Sequence, residues 1–198
     1  PMSWAWSTGG NGTEMSYHHL AMAARDMAAI HDFYERITGF ELVKVEIAPM
    51  MGGGWGKHFF YRMDGDDSSF IAFWELNEVP GAEAHEFNLN KAAHMPPGTN
   101  HFAFAVHSAE ELDARRDQWN AAGLDVLEID HNWCRSIYTR DPNGNMVEFC
   151  LTTGTFTEAD RARALAALDE RTMYPSPPPA SMRQWLAKDR AQAETQSA

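Results

Sequence analysis

Two histidines and one glutamate stand out as residues able to hold a metal. His19 lies in Tyr17-His18-His19-Leu20-Ala21-Met22-Ala23, and His101 in Asn100-His101-Phe102-Ala103-Phe104-Ala105-Val106. Each stands seven residues before a residue suited to cap a helix, Asp26 or Ser108. That shared register predicts equivalent positions in two equivalent strands. Glu148 lies in Met146-Val147-Glu148-Phe149-Cys150, among apolar neighbours. A carboxylate on a buried strand is costly unless it is paired or binds a cation. Arg135 and Arg140 are the alternative partners for it. Two histidines and a carboxylate form a facial set with open positions, suited to Fe(II); related sets suit Mn, Ni or Zn. Adjacent strand residues face opposite ways, so His18 is the alternative to His19. Glu75, near the end of a strand in the first half, is a candidate fourth ligand.

The elements that must carry these residues repeat. After His19 comes a predicted helix from Asp26 to about Thr38, with Met27, Ile30, Phe33, Tyr34 and Ile37 at helical spacing. Gly39 suits its end, and a strand follows from Phe40. After His101 the order recurs: Ser108 as cap, a helix bearing Leu112 and Trp119, Gly123, then a strand over Leu124–Ile129. Each half continues with further strands: Lys57–Met63 and Phe70–Leu76 in the first, Ser136–Tyr138 and Met146–Leu151 in the second. The fold class expected is α+β, two βαβββ units forming a curved sheet around a metal site. Residues 1–14 read as an arm, 15–152 as the two-unit domain (15–80 and 98–152), and 153–198 as a helical, proline-rich tail. Val79 to Gly98 is the linker. Thr157 with Asp160 resembles a capping box, and a short helix is expected around Met182 to Ala193.

Composition narrows the function. Hydrophobic residues make up 44% of the 198, enough for a sizeable core. The formal net charge of −12 argues against nucleic acid or an anionic membrane as partner. The chain shows neither a long apolar run nor a signal-peptide pattern, and its two cysteines form no disulfide framework. A cytoplasmic location is the expectation. Gly52-Gly53-Gly54 lacks the residues of a phosphate loop.

These residues resemble the vicinal oxygen chelate superfamily, over roughly residues 15 to 152. His19, Leu20, Asp26, Phe33-Tyr34 and Gly39-Phe40 carry the opening pattern, with Leu20 one position early. Asp141-Pro142-Asn143-Gly144-Asn145-Met146-Val147-Glu148 resembles the closing motif. The longer stretch from Ile129 to Glu148 is similar to the extradiol dioxygenase signature. That resemblance implies His19, His101 and Glu148 as ligands of Fe(II). It implies His131 and Tyr138 as catalytic groups touching a catechol-like aromatic substrate and O2, in a homodimer. The sequence departs from the pattern where that family has a further acid-base histidine: the region reads Asp66-Asp67-Ser68-Ser69-Phe70-Ile71. His58, His85 and His94 are the substitutes available. Two other readings within the same fold are a glyoxalase I-like isomerase or lyase, with Glu75 as a ligand, and a non-enzymatic small-molecule binding protein. Trp55, Phe59, Phe60, Trp74, Phe102, Phe104 and Trp133 are the aromatics available to wall a pocket.

Overall fold

The computed structural model describes residues 17–63, 65, 68–171 and 176–187. The expected arm, Pro1 to Glu14, lies outside them. The first unit runs β1 (His19–Ala24), α1 (Met27–His31), β2 (Glu41–Pro49), β3 (Trp55–Arg62) and β4 (Phe70–Asn77). The second runs β5 (His101–Ala105), α3 (Ala109–Ala121), β6 (Val126–Asp130), β7 (Cys134–Arg140) and β8 (Met146–Thr152). Between them lies α2 (Leu89–Ala92), so the linker is partly helical. Asp26 and Ser108 cap their helices as expected, each accepting a backbone N–H three residues on. The first helix does not keep one geometry. Beyond His31 it widens into a π-helical stretch, Asp32–Ile37, where Thr38 N donates to Phe33 O.

Strand order repeats as faithfully as element order. The first sheet is β1-β4-β3-β2 and the second begins β5-β8-β7-β6. In both, the first strand is an edge strand, parallel to the last strand of its unit. The second sheet gains a fifth strand from the tail, β9 (Ser181–Trp185), antiparallel to β6. This corrects the helix expected around Met182: a five-residue strand occupies its start, and residues beyond 187 are not described. The strand wins because Trp185 gains tertiary partners there. Its Nε1–H donates to Glu128 Oε2 at 3.0 Å, and Arg116 and Arg183 lie over its ring. The other tail helix forms as read: α4 (Glu158–Ala167) starts at a capping box of Thr157 and Asp160.

One core joins the two units. Ile71, Phe73 and Tyr61 from the first sheet and Ile137, Val147 and Phe149 from the second are buried in it with Tyr34, Phe40 and Trp119. Phe40 packs edge-on against Phe104 and Phe149. Polar contacts pin the contact between units: Tyr34 Oη donates to Asp141 Oδ2 at 3.2 Å, and Trp119 Nε1 to Thr38 Oγ1 at 3.2 Å. Because side chains alternate along a strand, the residues between these core positions face the other way. His19 and His101 belong to those opposite faces, turned away from the shared core.

Candidate functional site

On the second sheet the register gathers four of the five predicted site residues. Ala103 pairs with Glu148 and Glu148 with Tyr138, while His101 stands two residues before Ala103. All three functional side chains therefore share one face. His101 Nε2 lies 3.1 Å from Glu148 Oε2. His131 Nε2 and Tyr138 Oη are 2.9 Å apart, and the rings of Tyr138 and His101 have centroids 6.4 Å apart. The Tyr138 hydroxyl is held well above its ordinary pKa, first by burial, with the Glu148 carboxylate adding to the rise.

Glu148 is only 5% exposed, yet among the described residues no arginine forms an ion pair with it. Arg135 pairs instead with Glu128 and Asp113, and Arg140 donates to the Gly144 carbonyl. The groups Glu148 does meet are the Tyr138 hydroxyl and a histidine whose tautomer its other hydrogen bond favours. His101 Nδ1 lies 3.0 Å from the Gly98 carbonyl, which can only accept, so Nδ1 carries a proton. Nε2 then offers its lone pair towards a buried carboxylate. A metal ion held between that nitrogen and the carboxylate would suit both. A histidine whose second nitrogen donates to a backbone carbonyl is oriented as metal-ligating histidines are. The pair supplies two donors of the kind a divalent metal takes.

His19 is placed elsewhere. It lies on the first sheet, with its Nδ1 2.9 Å from that of His18 and its ring near His58 and Phe60. Among the described residues no three His, Cys, Asp or Glu side chains are positioned to hold a metal, so one chain does not bring His19 to His101 and Glu148. His58 stacks on Trp74, with ring centroids 4.0 Å apart, and its buried Nε2 has no hydrogen-bond partner among the described residues. Burial first, and then the neighbouring His19, lowers its pKa. His85 and His94 stay in the connection between units.

Register also answers a question that spacing left open. In the second unit His101 pairs with Met146, and Ala103 with Glu148; in the first, His19 pairs with Phe70, and Ala21 with Ala72. The counterpart of Glu148 is therefore Ala72, which has no donor. Glu75 falls on the face opposite His19 by alternation and pairs with Lys57 at 2.8 Å. Likewise Phe60 is the counterpart of Tyr138, since they pair with Ala72 and Glu148. The aromatics expected to wall a pocket divide. Phe102 is in the core with Phe59 and Phe104 packed against it, Phe60 and Trp74 stand beside the His19 group, and Trp133 packs on Phe156 of the tail.

A sequence model of the Glyoxalase/Bleomycin resistance protein/Dioxygenase superfamily matches residues 16–149. The chain belongs to this superfamily. Among solved structures it is similar to a glyoxalase/bleomycin resistance protein/dioxygenase domain from Frankia sp. EAN1pec, at 17% identity and a TM-score of 0.54, covering 71% of this chain and 99% of that one. It is also similar to lactoylglutathione lyase from Agrobacterium tumefaciens, at 22% identity and a TM-score of 0.46, covering 71% and 96%. The fosfomycin resistance protein FosX of Listeria monocytogenes is similar at 20% identity and a TM-score of 0.49, covering 74% and 98%. No curated protein matches the chain. The superfamily membership and the α+β two-unit fold agree with the sequence reading.

Proposed function

We propose that the protein is an Fe(II)-dependent dioxygenase of extradiol type, acting on a catechol-like aromatic with O2. The observation that carries this reading is the pairing of Ala72 where the repeat would put a second carboxylate. The donor set is then two histidines and one carboxylate. Such a set leaves positions open for a chelating diol and O2, whereas a four-ligand site of isomerase type would draw on Glu75. Iron, when bound, supplies the electron chemistry between diol and O2. The chain's own groups do the rest. Tyr138, kept protonated by burial, presents a hydroxyl beside the metal pair. His131, 2.9 Å from that hydroxyl, can accept or return its proton. His58, with an unpartnered nitrogen beside His19, is the histidine placed to serve where the family's further acid-base histidine is missing.

In this reading the functional unit is a homodimer. Among the described residues β1 and β5, which carry His19 and His101, are both edge strands. Apposing β1 of one copy with β5 of another would add His19 to the His101–Glu148 pair. The test is metal content, followed by oxygen uptake with catechols after anaerobic Fe(II) loading. Iron near one per chain with catechol-dependent oxygen consumption supports the reading. Tightly held Ni or Zn with no oxygen uptake sinks it in favour of the isomerase or lyase reading.

A further inference from the structure

A cleft of about 570 Å³ opens on the site face of the second sheet, with Tyr138 as one wall. Its floor is a row across three strands: Tyr138 pairs with Leu127, and Leu127 with Gln184 of the tail strand. Arg140 and Met146, themselves a register pair one step along, also line it. The cleft thus begins beside the His101–Glu148 pair and runs towards β9, which lies beyond the 16–149 match to the superfamily.

The charged group in this cleft is available. Arg140 is exposed, its hydrogen bond goes to a neutral carbonyl, and no acidic side chain among the described residues forms an ion pair with it. Contrast Arg116 and Arg135, both engaged with carboxylates. Asp125, the one carboxylate among the described residues that line the cleft, accepts the Ala187 N–H at 3.0 Å. One guanidinium with an amide nearby suits a single negative charge; an added carboxylate at the rim disfavours a dianion such as phosphate. Leu127 and Met146 supply apolar walls.

We propose that this cleft takes the carboxylate-bearing side of an aromatic diol, with Arg140 pairing the carboxylate and Gln184 donating a second hydrogen bond. The inference rests on the metal-centre reading above and names the substrate class for it. It makes the tail strand a specificity element as well as a sheet edge.

The test compares two probes that differ by one carboxylate, protocatechuate and catechol, binding anaerobically to the Fe(II)-loaded protein by calorimetry. A hydrogen-bonded charge pair contributes enough for protocatechuate to bind about tenfold tighter or more. Arg140→Gln should erase that difference and leave catechol affinity unchanged, Arg140→Lys should restore part of it, and Gln184→Ala should weaken protocatechuate alone. Equal affinities in the wild type, or an equal loss for both probes in Arg140→Gln, would overturn the inference while leaving the diol reading standing. Binding of neither probe overturns it too. A metal titration of the same samples then shows whether the metal centre falls with it.

Discussion

Glu148 is expensive where it stands. It is 5% exposed, and the groups beside it are the His101 ring, 3.1 Å away, and the Tyr138 hydroxyl. A buried carboxylate without a cation costs stability, on the order of 1–3 kcal/mol or more. Replacing it with the neutral isostere should therefore leave the metal-free protein as stable or more so, while abolishing the rise in Tm on adding Fe(II). Thermal melts of wild type and Glu148→Gln, with and without metal, check this; a wild type whose Tm ignores divalent metal would refute the ligand role. Tyr138 predicts a different signature, because in the proposed reading it meets substrate without holding the metal. Tyr138→Phe should keep iron near one per chain and lose roughly 10²-fold in kcat, the scale of a positioned acid-base group. The pairing of His131 with Tyr138 was legible in the sequence through the resemblance to the extradiol signature, and the structure brings them within 2.9 Å. What spacing could not supply was which face each side chain takes. Glu75 and Glu148 look alike as strand-end acids, and only the strand register separates them.

At the scale of elements, the tail strand was the feature least legible in the sequence. Ser181–Trp185 has no strong strand pattern, and its conformation is decided by partners far along the chain. Glu128 is the centre of that decision. Burial would raise its pKa, but hydrogen bonds from Arg135 and Trp185 and the nearby charge of Arg116 lower it overall. A carboxyl whose folded pKa lies below its unfolded value stabilises fully above the unfolded value, about 4.3, and loses that contribution as pH falls through the folded one. Asp141 has the opposite sign: burial raises its pKa, outweighing the hydrogen bonds from Asn145 and Tyr34, so its ionisation costs stability at neutral pH. Trp185→Ala should destabilise by on the order of 1–3 kcal/mol and, by removing one of the bonds that lower Glu128, flatten the acid limb of stability. Urea titrations carried from pH 7 down to about pH 3, through and below the unfolded value, measure both. An unchanged acid limb would show that β9 does not set the charge state of Glu128. The repeated elements, by contrast, were readable because each is local: a cap, an apolar stripe, a glycine and a strand.

At the scale of the molecule, the two units put their apolar faces together and their histidines apart. Phe40, Phe104, Phe149, Tyr34 and Trp119 make the shared core, so the faces with His19 and with His101 cannot meet within one chain as it is packed. Among the described residues, two edge strands, each bearing one of those histidines, remain unpaired on one side, on sheets that otherwise repeat strand for strand. If two copies complete each other's sites, each site takes His19 from one chain and His101 with Glu148 from the other. That has a consequence no intrachain site shares. His19→Ala and Glu148→Ala should each be inactive and metal-poor as homodimers. Unfolded and refolded together, they should form mixed dimers in which one of the two sites holds His19, His101 and Glu148 intact, while the other lacks both altered groups. Random pairing makes about half of the dimers mixed, each with one working site, so roughly a quarter of wild-type activity and bound iron should return for a symmetric two-fold assembly. Pairing His101→Ala with Glu148→Ala is the control: both residues belong to the same half-site, and mixing must restore nothing. Recovery in the first mixture and none in the second would assign the metal centre to the dimer. No recovery in either, from variants shown by sedimentation to form mixed dimers, would require all three ligands to come from a single chain rearranged from the packing described here.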